Sequence, residues 1–238
     1  MKIALIGYGK MGKAIEEIAL QRGHEIVLKI DENNQHDFTK AKIANADVAI
    51  EFTGPDSAFE NIKKILQFNI PVVSGSTGWL EKSEEIKKIC TDNNGTFLYA
   101  SNFSVGVNIF FEINKKLAAL MAPHNDYEVS ITEIHHTLKK DAPSGTAITI
   151  AEQVLEHIPR KKNWVNHISD TIDELEILSE RADPAPGTHK VKYSSAIDDI
   201  EIIHTAHSRK GFAAGALLAA EYIYNKKGVF TMKEVLNL

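Results

Sequence analysis

The chain reads as an α/β protein: a Rossmann-type parallel-sheet domain plus a smaller α+β domain with an open mixed sheet. Three observations predict this. At the N-terminus a strand, a glycine turn and a helix follow one another in Lys2-Ile-Ala-Leu-Ile6, Gly7-Tyr-Gly-Lys-Met-Gly12 and Ala14-Ile-Glu-Glu-Ile-Ala-Leu20. Strands and helices then alternate over roughly the first hundred residues, which implies a parallel sheet with right-handed crossovers. After about Val107 the rhythm changes, and several strands follow without helices between them, as in a partly antiparallel sheet.

The elements follow in order. His24-Glu-Ile-Val-Leu-Lys-Ile30 is the second strand and ends at Asp31. Asp47-Val-Ala-Ile-Glu-Phe52 is a buried strand, and Thr53-Gly-Pro-Asp-Ser57 turns into a helix reaching about Asn69. Pro71-Val-Val-Ser74 is the next strand; after it come the loop Gly75, Ser76, Thr77, Gly78 and a helix over residues 81–93. Asn94-Gly95 turns into the strand Thr96-Phe-Leu-Tyr-Ala100, and Ser101, Asn102, Phe103 and Ser104 follow it. In such a sheet ligands sit beyond the carboxyl ends of the strands, which puts both loops on the cofactor side. The second part has a helix over 108–121 and a period-two strand over 127–136. A helix then opens after Thr146, strand-like runs cover 175–181, 189–195 and 200–207, and an apolar helix spans 212–224.

The glycine turn has a physical reading in this context. Gly7 permits the tight turn, Gly9 lets a pyrophosphate approach the backbone, and Gly12 lets helix and strand pack closely. With Tyr8, Lys10 and Met11 between them, these residues form a dinucleotide site at a helix start that offers amides and partial positive charge. Asp31, about 20 residues past the glycines, is placed to grip a ribose diol. A carboxylate there repels the 2′-phosphate of NADPH, and Glu32, Asn33 and Asn34 bring no cation. NADH is therefore expected to be favoured over NADPH. Lys29 and Lys10 are the cations that could soften this preference.

His135, His136, Lys139 and the run Asp141-Ala-Pro-Ser-Gly-Thr146 crowd into twelve residues. The strand before them carries Val129, Ile131, Glu133 and His135 on one face, and Ser144, Gly145 and Thr146 open the helix after them. Two imidazoles and an ammonium thus meet an amide-rich helix start, a combination that suits a small carboxylate to be held and protonated. A metal centre is not expected. His135 and His136 point to opposite faces of a strand, and no two histidines have helical i, i+4 spacing around an acid.

Composition narrows the partners. The net charge of −5 provides no basic surface for nucleic acid. One cysteine, Cys90, cannot form an internal disulfide and fits a reducing compartment. The first apolar run is too short for a secretory segment and nothing reaches membrane-spanning length, so the chain reads as soluble and cytoplasmic.

These residues together resemble the 4-hydroxy-tetrahydrodipicolinate (dihydrodipicolinate) reductases of bacterial lysine and diaminopimelate synthesis. The resemblance rests on Gly7-Tyr-Gly-Lys-Met-Gly12, Gly75-Ser-Thr-Gly78, Ser101-Asn-Phe-Ser-Val-Gly-Val107 and the stretch from Glu133 to Ala147. It continues in Ile203-His-Thr-Ala-His-Ser-Arg209 and Phe212-Ala-Ala-Gly-Ala216. It implies His135 as general acid and Lys139 as a second proton donor, with His136, Lys139, Ser144, Gly145 and Thr146 around a cyclic dicarboxylate. Gly7 to Gly12, Asp31, Gly75 to Thr77 and Ser101 to Ser104 would line NADH or NADPH. It further implies a homotetramer, and a dinucleotide domain (1–106 with 212–238) separate from a substrate and oligomerisation domain (107–211). The chain departs from the family in two places. The stretch Arg181-Ala-Asp-Pro-Ala-Pro-Gly-Thr-His189 replaces an Arg-x-Gly…Gly-Glu-His pattern, and Glu32 stands where an arginine often follows the ribose acid. Two other readings stay open on residues alone: a two-domain oxidoreductase of another amino-acid intermediate, resembling aspartate or homoserine dehydrogenases, and a dinucleotide sensor without turnover.

Overall fold

The structure is a computed structural model that describes residues 1–208 and 210–238; Arg209 of the C-terminal motif lies outside the described residues. The chain divides into two compact units, residues 1–105 with 210–238, and residues 106–209.

The first unit is built on a six-stranded sheet in which every pairing is parallel. Its strands are β1 (Lys2–Ile6), β2 (Glu25–Ile30), β3 (Val48–Glu51), β4 (Val72–Ser74), β5 (Thr96–Tyr99) and, from the end of the chain, β11 (Gly228–Phe230). The spatial order is β11-β5-β4-β3-β1-β2, so the chain runs outward from β1 to β2 and then resumes on the other side at β3. That reversal is the switch point at which open α/β sheets bind ligands. Helices α1 (Lys10–Gln21), α2 (Lys40–Ile43), α3 (Pro55–Gln67) and α4 (Ser83–Asp92) connect these strands. The strands read as apolar runs because they are covered on both faces, and two cores result. One packs Ile3, Leu5, Val48 and Ile50 against α1 and the C-terminal helix α7 (Lys210–Ile223). The other packs Ala4, Ile6, Ala49 and Val72 against α3 and α4. The final helix α8 (Met232–Leu236) adds Met232 to the first of these and is held by a capping box between Thr231 and Glu234.

The second unit carries helices α5 (Val105–Met121) and α6 (Gly145–His157) and strands β6 (Glu128–His135), β7 (Asn163–Val165), β8 (Glu174–Arg181), β9 (Gly187–Ser194) and β10 (Asp199–Ala206). The sheet order is β10-β9-β6-β8-β7: β9 runs antiparallel to its neighbours, while β6, β8 and β7 are parallel. Val129, Ile131, Leu175, Ile177, Val191 and Tyr193 face Ala147, Ile150, Ala151 and Val154 of α6 in a third core.

Some elements differ from the expected ones. Helix α1 starts at Lys10 instead of Ala14 because the Lys13 amide donates to the Gly9 carbonyl (3.1 Å), closing a turn that includes Gly12. Helix α5 starts at Val105 instead of Asn108. The three-residue strands β7 and β11 carry too few residues for a period to show.

Candidate active site

At the end of β1 the chain turns through Gly7 at φ +101°, where a Cβ would lie 2.1 Å from the Phe52 carbonyl oxygen; only glycine fits. A Cβ on Gly12 would lie 2.4 Å from the Gly7 carbonyl oxygen, so α1 is seated hard against the turn. Gly9 is different: a Cβ there would meet nothing within 4 Å. Two glycines therefore shape the turn and the third leaves room beside a helix start. Gly7, Tyr8 and Gly9 line a cleft of about 530 Å³ together with Asp31, Glu32, Phe52 and Thr53. Lys10 and Met11 open the helix itself. The Asn33 amide donates to Asp31 Oδ1 (2.8 Å), and the Asp31 amide to Asn34 Oδ1 (2.7 Å), which holds the acid in a compact turn at the end of β2. Lys29 is committed elsewhere: its ammonium lies 2.6 Å from Glu16 Oε1 and 5.0 Å from the centre of the Tyr8 ring. A glycine turn with open space at a helix start and an acid in the same cleft fits a dinucleotide.

Gly75 to Thr77 follow β4, and Ser101 to Ser104 follow β5, at the carboxyl ends of the same sheet. Ser76 is buried; its hydroxyl donates to Glu51 Oε1 (2.7 Å) and accepts from the Thr53 amide (2.8 Å). The fully buried Glu51 also accepts from Ser74 Oγ (2.6 Å), so one carboxylate ties the loops after β3 and β4. The side chain of Ser76 is thus engaged inside the protein, while Thr77 and Ser101 are exposed. Asn102 Oδ1 accepts from the Ser104 amide (2.9 Å). The Phe103 ring is buried 5.7 Å from that of Phe52, and its carbonyl lies against α7, where a Cβ on Gly215 would come within 1.8 Å.

In the second unit, strand register assembles the other candidate residues. Glu133 and His135 share a face of β6; Glu133 lies opposite Ser179 of β8 and His189 of β9, and His135 lies opposite Arg181. Glu133 is fully buried. Its carboxylate accepts from the Ser144 amide (3.0 and 3.1 Å) and from Ser179 Oγ (2.8 Å), and lies 3.4 Å from His135 Nδ1. Ser144 caps α6 by accepting from the Ala147 amide (3.2 Å), and its hydroxyl is 3.2 Å from His189 Nε2. Ser144 is therefore a buried joint with both polar groups engaged, whereas Gly145 is exposed and Thr146 half-buried on the first turn of the helix. His136 follows the strand, with its amide on the Ala185 carbonyl (2.8 Å). Lys139 Nζ donates to Asp141 Oδ2 (2.7 Å). Arg181 reaches over from β8 to the carbonyls of Lys139 (3.3 Å) and Asp141 (2.7 Å), and so fixes the loop that carries the lysine.

The charges follow from this packing. Burial pushes the His135 imidazole below its ordinary pKa; Glu133 opposes this, while Lys139, Arg181 and His136 add to it. Burial raises the Glu133 carboxyl, but hydrogen bonds from Ser144 and Ser179 and the charge of His135 together hold it below its ordinary value. His189 is pushed down to about 4, mainly by burial and then by His135, so it is neutral at physiological pH. A hydrogen bond from Lys139 keeps Asp141 ionised.

Glu133 shares a face of β6 with His135, as the period of two predicts, whereas His189 and Arg181 reach the histidine through cross-strand register, which no local sequence signal reports. The ligand atoms of Glu133, His135 and His189 lie within 4.8 Å of one another, a grouping that joins His135 to a histidine of the neighbouring strand and not to His136. Both carboxylate oxygens of Glu133 already accept hydrogen bonds and Arg181 stands 3.8 Å from one of them, so the carboxylate is engaged with donors and a neighbouring positive charge opposes a cation there.

A parallel sheet whose switch point holds a glycine turn and an acid, with a second unit bearing a proton-active cluster, defines a nicotinamide-dependent oxidoreductase. The family models "Dihydrodipicolinate reductase, N-terminus" and "Dihydrodipicolinate reductase, C-terminus" match residues 1–103 and 106–236. The chain belongs to the dihydrodipicolinate reductase family. A 4-hydroxy-tetrahydrodipicolinate reductase from Christiangramia forsetii is 52% identical over 238 residues, covering 100% of this chain and 98% of the relative. Another, from Thermosipho africanus, is 36% identical and covers 99% and 98%. Among solved structures, the dipicolinate-bound dihydrodipicolinate reductase from Paenisporosarcina sp. TG-14 matches with a TM-score of 0.76 at 23% identity, covering 97% of each chain. The aspartate dehydrogenase of Thermotoga maritima matches at 0.52 and 14% identity, covering 94% of this chain and 96% of that one; this shows a shared fold. Among the described residues no helix is long and apolar enough to cross a membrane.

Proposed function

We propose that this chain reduces 4-hydroxy-tetrahydrodipicolinate to tetrahydrodipicolinate with a reduced nicotinamide dinucleotide, a step of lysine and diaminopimelate synthesis. The observation that carries the reading is the junction of β6 and α6 in a member of this family, where Glu133, 3.4 Å from His135 Nδ1, accepts from the Ser144 amide at the helix start and His136 and Lys139 follow in the connecting loop. The first unit binds the cofactor through Gly7 to Gly12, Asp31, Gly75 to Thr77 and Ser101 to Ser104. The second binds the cyclic dicarboxylate.

Substrate binding and proton delivery can be assigned to residues. Lys139 and the first amides of α6, at Gly145 and Thr146, hold one carboxylate by charge and hydrogen bonds, and His136 adds a polar contact. Ser144 shapes that helix start by capping it. Loss of the ring hydroxyl as water leaves a conjugated cyclic imine. When bound in the first unit, a reduced nicotinamide would supply the hydride that the ring takes up. His135 then protonates the neighbouring ring carbon of the enamine, which restores the imine and completes the reduction with one hydride and one proton; Lys139 is the alternative donor of that same proton. Consumption of NADH or NADPH with substrate formed in situ from pyruvate and aspartate semialdehyde tests the reading, and no oxidation of either cofactor overturns it.

NADH is the preferred cofactor. Asp31 and Glu32 share the cleft with the glycine turn, and Lys29 is engaged by Glu16, which supports discrimination against a 2′-phosphate. Glu32→Arg is expected to move the ratio of catalytic efficiencies toward NADPH; a wild type that prefers NADPH and a variant that does not respond would misplace the ribose site.

The assembly is a homotetramer built through the second unit. Strand β10 is a sheet edge whose Ile203 is 56% exposed, an edge that needs cover. Sedimentation at micromolar concentration is expected to give four copies, and a monomer would contradict the assignment.

A further inference from the structure

We infer that Glu133 is a positioning residue that holds the proton of His135 on Nδ1 and keeps the imidazole able to act as an acid. The inference rests on the reading of His135 as proton donor. Its geometry is independent of that reading. Glu133 Oε2 is 3.4 Å from His135 Nδ1, and this buried nitrogen has no hydrogen-bond partner among the described residues. The carboxylate cannot swing away, because the Ser144 amide and the Ser179 hydroxyl hold its two oxygens from the helix start and from β8. The opposite ring nitrogen, Nε2, lies over Gly187, where a Cβ would stand 3.1 Å from it at a backbone φ of +158°. A side chain at 187 would crowd the nitrogen left to exchange protons. His189 closes the other side, its ring centre 5.2 Å from that of His135.

The electrostatic need for Glu133 is plain from the neighbours. Burial, Lys139 and His136 in the following loop, and Arg181 on β8 all disfavour a charged imidazole; His189 on β9 is neutral. Glu133 is the group that opposes them. A carboxylate beside the inner nitrogen of a histidine selects one tautomer and stabilises the cation, as an orienting acid does for other catalytic imidazoles. The same carboxylate seats the Ser144 amide, so the acid and the substrate-binding helix start are fixed by one side chain.

The substitution Glu133→Gln keeps the shape and a hydrogen-bond acceptor and removes the charge. His135 must be protonated to donate, and without the carboxylate its affinity for the proton falls. The decline of kcat with rising pH should therefore move to lower pH. At neutral pH kcat should drop roughly 10–10²-fold, the scale of losing a nearby opposite charge, with a smaller change in KM. Nitrogen NMR of histidine-labelled protein reads the group directly, whether or not it is the acid. In the wild type Nδ1 is expected to carry the hydrogen in the neutral form. In the variant that preference should weaken and the titration should shift down. An unshifted titration with kcat lowered equally at every pH would reduce Glu133 to a support for the helix start and overturn the inference. A wild-type imidazole with its hydrogen on Nε2 would overturn it even if the variant failed to fold. So would a stoichiometric divalent metal in the purified protein that Glu133→Gln releases. A shifted titration with unchanged kcat would uphold Glu133 and instead defeat the reading of His135 as the acid.

Discussion

His135→Ala is expected to lower turnover by roughly 10²–10⁴-fold, the usual contribution of a positioned general acid. Cofactor affinity should hardly change, because His135 belongs to the second compact unit and the glycine turn to the first. The comparison of turnover with cofactor titration is therefore decisive. A variant that binds NADH poorly and turns over normally would remove His135 from the chemistry. The variant also leaves the fully buried Glu133 beside an unfilled space and without its imidazole, so some loss of stability should accompany the kinetic effect. A thermal melt separates the two: a folded protein at the assay temperature with the full kinetic defect assigns the defect to the missing acid.

Lys139→Ala should lower kcat/KM by roughly 10²-fold, since a charge-assisted hydrogen bond to a carboxylate contributes about 1.5–3 kcal/mol. Both parameters should respond, KM because a carboxylate loses its cation and kcat because a proton donor is lost. The ammonium pairs with Asp141, whose side chain is 66% exposed. So exposed a partner adds little to stability, and a substrate carboxylate can displace it at small cost. Arg181 binds the backbone of this loop and not the lysine side chain, so the loop should keep its place in the variant. If kcat and KM both stayed at wild-type values, Lys139 would be a surface lysine held by Asp141 and nothing more.

The first unit was largely legible in the sequence because its signals are local. A strand, a glycine turn, a helix and an acid lie within about thirty residues, and each reports its own backbone requirement: Gly7 its left-handed φ, Gly12 its contact with the turn. The alternation of strands and helices likewise predicts the parallel sheet. Less legible was the last strand. Gly228–Phe230 completes the sheet beside β5, and that partner lies more than a hundred residues away in the chain.

For the candidate site the division has the same origin. His135, His136, Lys139 and the helix start are neighbours in sequence, so residue type and period two were enough to bring them together. What surrounds His135 was decided by tertiary structure. The register of β6 against β8 and β9 sets Glu133 opposite Ser179 and His189, and His135 opposite Arg181. A slip of one residue in either pairing would turn those side chains to the other face. Sequence determined which chemical groups the chain carries to the end of β6. The period of two already set Glu133 beside His135; only the paired strands decided that Ser179 would hold that carboxylate and that a neutral histidine and a glycine would enclose the imidazole, because hydrogen-bond register between strands distant in the chain fixes their relative positions.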